Sequence, residues 1–87
     1  MKIFPNPFSE QTLFEFYLSK TELVDLSIYD ADGKLIKCLI DKKMEAGKHN
    51  VVWNRNDLNK KPYDPGLYFA TLKLNGEPQG ILKLVIY

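Results

Sequence analysis

Apolar and polar residues alternate along most of this chain, and the alternation predicts strands. Thr12–Leu18 sets Phe14, Phe16 and Leu18 on one face. Leu23–Tyr29 alternates more cleanly, with Val24, Leu26 and Ile28 together and Asp25 and Ser27 opposite. A period of two gives each strand one face for a core and one for water. In Leu35–Ile40 the alternation breaks, which points to a bulge or an edge strand. A polar connection over 41–47 leads to Lys48–Asn54, with Val51 and Trp53 inward. Gly66–Leu74 aligns Tyr68, Ala70, Leu72 and Leu74. The last strand is Gln79–Ile86; Leu84 and Ile86 point one way, and Lys83, Val85 and Tyr87 the other. No stretch of ten or more residues carries apolar positions at helical spacing.

Turn signals separate these runs. Asp30-Ala31-Asp32-Gly33 predicts a hairpin turn with Gly33 at positive φ, and Asn75-Gly76 a tight one. A long polar loop covers 55–65, and Gly66 is expected to turn the chain sharply out of Pro65. Six to seven strands with turns about 8–12 residues apart predict an all-β fold, an Ig-like or fibronectin-III-like antiparallel β-sandwich. Its core is expected to hold Phe14, Phe16, Val24, Leu26, Ile28, Trp53, Tyr68, Ala70 and Leu72. Residues 1–87 read as one unit, with 1–4 the remnant of a linker or an artificial start lying outside the core.

Composition narrows the function classes. Over 87 residues, 45% are hydrophobic and 26% charged, which is globular and not disordered composition. A net charge of +1 disfavours a nucleic-acid module, which needs a concentrated cationic surface. One cysteine excludes an internal disulfide and a multi-cysteine zinc site. No apolar run approaches the roughly 20 residues of a membrane span. Met1-Lys2-Ile3-Phe4 runs at once into Pro5 and Pro7 with no apolar signal region, so the chain reads as cytosolic or, better, as a fragment of a larger protein.

Candidate chemistry is sparse. Cys38 and His49 are the conceivable nucleophile and base, but no motif surrounds either. Asp30-Ala31-Asp32-Gly33 resembles the start of a calcium loop, yet a strand follows at once, which favours the turn. Asn54, Asn56, Asp57 and Asp64 gather oxygen ligands in the long loop, either for calcium or simply for water. Trp53 with Tyr17, Tyr29, Tyr63 and Tyr68 invites a sugar-stacking platform; the place of Trp53 on an alternating strand favours the core instead. No cofactor is expected.

The order of motifs resembles one family. Pro5-Asn6-Pro7-Phe8, the strand Thr12–Leu18, and Val24-Asp25-Leu26-Ser27-Ile28-Tyr29-Asp30-Ala31-Asp32-Gly33-Lys34 stand in sequence. They are followed by Glu45-Ala46-Gly47-Lys48-His49-Asn50-Val51-Val52-Trp53-Asn54, Pro65-Gly66-Leu67-Tyr68-Phe69 and Lys83-Leu84-Val85-Ile86. Together they resemble the type A C-terminal sorting domain of the type IX secretion system of Bacteroidetes, and the related Ig-like module of flagellar hook-capping proteins. The chain departs from the pattern where Asp64-Pro65-Gly66 sets the proline directly against the glycine, and where it ends on Tyr87 without a terminal Lys or Arg.

The resemblance implies a non-catalytic address that carries an N-terminal cargo domain through the periplasm. It implies two partners: the outer-membrane secretion machinery and a sortase-like peptidase that removes the domain. Gly66, Tyr68, Lys83, Leu84, Val85, Ile86 and Tyr87 are the expected partner-recognition residues, with the edge of the last strand open to strand addition. The alternatives are an Ig-like spacer of a larger extracellular or flagellar protein and a carbohydrate-binding module.

Overall fold

A computed structural model describes residues 1–56 and 62–87. The chain forms strands β1 (Lys2–Phe4), β2 (Gln11–Leu18), β3 (Glu22–Asp30), β4 (Leu35–Met44), β5 (Gly47–Asn54), β6 (Gly66–Leu74) and β7 (Glu77–Ile86). They make two antiparallel sheets, a three-stranded one in the order β1-β2-β5 and a four-stranded one in the order β4-β3-β6-β7. The all-β sandwich expected from the alternation is the fold observed.

The core lies where the period of two placed it. All nine expected core residues are buried, joined by Leu18, Ile40, Leu84, Ile86 and Phe8. The two strand faces differ sharply: in β2, Phe14, Phe16 and Leu18 are buried while Tyr17 is exposed. Transfer of each such large side chain from water stabilises the fold by about 1.5–3 kcal/mol.

Turn chemistry holds the hairpins. Gly33 adopts φ 84°, and its N–H donates to Asp30 O at 3.0 Å. The Asp30 carboxylate accepts from the N–H groups of Asp32 and Lys34, each at 2.9 Å. Both acceptor roles serve the backbone, so Asp30-Ala31-Asp32-Gly33 is a hairpin turn. Asn75 (φ 53°) and Gly76 (φ 83°) both take the left-handed conformation that a two-residue hairpin demands.

Three expectations need correction. Residues 41–44 are not a loop: β4 continues to Met44 and Gly47 already begins β5. β4 is an edge strand with register shifts against β3, and edges favour charged side chains such as Lys42 and Lys43, which in sequence look like a connection. Residues 2–4 are not outside the fold: they pair with β2 from Lys2↔Glu15 to Phe4↔Leu13. Three residues are too few to display an alternation. β7 begins at Glu77, not Gln79, because the two-residue turn brings Glu77 directly opposite Leu74. Pro78 is tolerated there because β7 is also an edge.

Candidate functional site

The expected recognition residues converge at one end of the β6–β7 pair. The register sets Gly66 opposite Ile86, Leu67 opposite Val85 and Tyr68 opposite Leu84. The alternation then divides them. Leu84 (0% exposed) and Ile86 (1%) are core, and Tyr68 is buried with them. Lys83, Val85 and Tyr87 face outward and are exposed. Gly66 is exposed at φ 149°.

Tyr68 has a structural duty. Its hydroxyl donates to the carbonyl of Asp64 at 2.6 Å, and its ring meets Trp53 edge-on at 5.6 Å. A tyrosine at the start of a sandwich strand bonded back to the preceding loop is a tyrosine corner. Burial, then the carboxylates of Asp64 and Asp30, raise its phenol above the ordinary tyrosine range. Trp53 is buried between Phe8, Tyr63 and Tyr68, so it offers no sugar platform.

The edge of β7 is not open where it was expected to be. The side chain of Asn6 lies along it: Nδ2 donates to Lys83 O at 2.8 Å, and Oδ1 accepts from Val85 N at 3.0 Å. Phe8 continues the pairing in parallel, donating from its N–H to Val85 O at 3.0 Å and accepting from Tyr87 N at 3.0 Å. Strand addition along 83–87 therefore meets an occupied edge. An amide side chain carries the same donor and acceptor as a peptide group, so Asn6 stands in for one residue of a strand. Thr12 Oγ1 donates to Pro5 O at 2.7 Å and secures the other side of this strap. Arg55 Nη1 reaches both Ser9 O and Tyr87 O at 3.4 Å.

Sequence reasoning missed Asn6 and Phe8, and also Leu67 and Phe69, which lie opposite Val85 and Lys83 and extend the outward surface. The period of two on β6 already opposed Leu67 and Phe69 to Tyr68 and Ala70. For Asn6 the signals were its place between two prolines and in the Pro5-Asn6-Pro7-Phe8 motif, and neither points to a partner for its amide.

The catalytic pair does not form. Cys38 lies on β4 of the four-stranded sheet and His49 on β5 of the three-stranded sheet. His49 Nε2–H donates to Glu45 O at 2.7 Å and its ring stacks on Phe16 at 5.6 Å. Of the calcium candidates, Asp57 lies outside the described residues. Asn54 Oδ1 is engaged by the N–H of Asn56 at 2.8 Å, and no cluster of three metal-ligating His, Cys, Asp or Glu side chains occurs among the described residues. No helix among them is long and apolar enough to cross a membrane.

A strap of Pro-Asn-Pro-Phe against the last strand, a tyrosine corner and an Asp-x-x-Gly hairpin occupy the motif positions on which the resemblance rested. The model of the secretion system C-terminal sorting domain matches residues 2–87. The chain belongs to this family of type IX secretion sorting domains. It is a signal for type IX secretion, of the kind borne by secreted or cell-surface proteins exported through the periplasm. No curated protein matches it. Among solved structures it is similar to the alkylpurine DNA glycosylase AlkC of Pseudomonas fluorescens, solved bound to DNA containing an abasic site analog. The identity is 19% and the TM-score 0.56, over 98% of this chain and 28% of the glycosylase. At that identity, and over barely a quarter of the other protein, the likeness concerns the fold alone.

Proposed function

We propose that the outward face of the last strand is the address this sorting domain presents. Lys83, Val85 and Tyr87 project from it, and Leu67 and Phe69 continue it onto β6. The observation that carries this reading is the division within β7: Leu84 and Ile86 are locked in the core, so the fold displays their neighbours in a fixed register. The sorting domain rides behind an N-terminal cargo domain, is recognised folded by the outer-membrane machinery, and is then removed by a sortase-like peptidase. The domain contributes binding surface and no chemistry of its own.

The test is a periplasmic reporter fused ahead of residues 1–87 in a type IX-competent cell. The wild-type fusion is expected at the surface, and Lys83→Glu is expected to hold the folded reporter in the periplasm. A reporter retained even with the wild-type domain would instead favour an Ig-like spacer, and full export of Lys83→Glu would overturn the reading of this face as the address.

A further inference from the structure

Near its start the chain crosses between the two sheets and back. β1 belongs to the three-stranded sheet, the strap 5–8 moves over to the edge of β7 in the four-stranded sheet, and β2 returns to the first. The outcome is a staple between residues 77 and 79 positions apart in sequence, Asn6 with Lys83 and with Val85. Pro5 and Pro7 carry no N–H, so the segment is short of backbone donors; the Asn6 amide supplies one. Phe8 anchors the strap: it is 1% exposed and meets Trp53 edge-on at 5.7 Å.

We propose that Asn6 and Phe8 are positioning residues for recognition of the last strand: they close its edge and fix its register, so that a partner reads its face and does not add a strand to it. This rests on the reading that the outer face of β7 is the address. Three observations carry the inference. First, the strap occupies the outward backbone groups of the segment whose side chains form that face: Lys83 O, both groups of Val85, and Tyr87 N. Second, β7 is an edge strand paired with β6 on one side, so it opens more readily unless its other side is also held, and a surface held in its binding conformation beforehand loses less entropy on association. Third, prolines along an edge are a recognised means of stopping further strand pairing, and two of them flank Asn6.

Asn6 is exposed, so Asn6→Ala removes its two bonds without opening a core cavity. The experiment follows amide hydrogen exchange in the whole chain, and export of the fused reporter, for wild type, Asn6→Ala and Lys83→Glu. In Asn6→Ala the amide of Val85, which loses its side-chain acceptor, is expected to exchange about tenfold faster. The amides of Leu84 and Ile86, which belong to the β6 side of the strand, should keep their rates. Reporter export should fall severalfold while the domain stays folded. Asn6→Ala exporting at the wild-type level, or losing export with Val85 exchanging as in wild type, overturns the inference. If Lys83→Glu blocks export while Asn6→Ala does not, the address stands and the strap's role falls. Full export of Lys83→Glu removes the address reading itself, and the strap's role in recognition with it.

Discussion

Tyr68 donates its phenolic hydrogen to the backbone carbonyl of Asp64, 2.6 Å away. This bond fastens the start of β6 to the loop before it, at the point where the chain passes from one sheet to the other. A residue of the motif Pro65-Gly66-Leu67-Tyr68-Phe69 is thus explained by the fold before any partner is considered.

Tyr68→Phe keeps the ring and loses the bond, at a cost of about 1 kcal/mol or somewhat more. In a domain of this size that corresponds to about 4–8 °C in Tm, measurable by thermal denaturation followed by circular dichroism. The pH dependence has a defined sign. Folding raises the phenol's pKa, so its contribution is whole below the ordinary tyrosine value of about 10 and is lost as pH rises through the folded-state value. Wild type should therefore lose stability above about pH 10 more steeply than Tyr68→Phe; identical alkaline profiles would contradict the assignment.

Trp53→Ala is expected to cost roughly 3–5 kcal/mol, since it removes the ring on which Phe8, Tyr63 and Tyr68 converge. Small domains have about 5–15 kcal/mol in total. Urea titration should show a much lower midpoint, and an unchanged midpoint would place Trp53 outside the core.

Phe8→Ala should be comparably damaging, roughly 3–5 kcal/mol, although Phe8 lies in no regular strand. Its ring is as buried as that of Trp53. Phe8→Leu, which keeps apolar bulk, should recover much of the loss in the same denaturation assay.

Gly33→Val is expected to destabilise the β3–β4 hairpin by about 1–2 kcal/mol through backbone strain alone. A Cβ at Gly33 would meet no atom within 4 Å, so φ 84° is the only obstacle. Gly33→Asn, which tolerates that conformation, should cost distinctly less. Equal Tm values for the two variants would show that the turn does not need positive φ.

Lys48→Ala is expected to leave Tm nearly unchanged. Lys48 and Glu15 form an ion pair at 2.6 Å, which, with the hydrogen bond it includes, lowers the Glu15 pKa; Lys48 is nevertheless largely exposed, and exposed pairs contribute little. A large fall in Tm would assign Lys48 a packing role.

The amino-acid sequence by itself determined the fold class, the core and the hairpin turns. Each follows from short-range rules: a period of two buries Phe14, Phe16, Val24, Leu26 and Ile28, and Asn75-Gly76 closes its hairpin because both residues accept positive φ. It also carried the family, because the motifs are these same local devices in a fixed order. Only the tertiary structure decided which edges are free. The Asn6 amide and the backbone of Phe8 meet β7 across nearly the whole chain, and no local pattern encodes a contact between residues 77 and 79 positions apart. Lys2–Phe4 became a strand only because β2 was there to pair with it, and 41–44 only because β3 extended the ladder past Ile40. An open edge and an occupied edge look alike in sequence, since the difference lies in backbone groups that every residue carries.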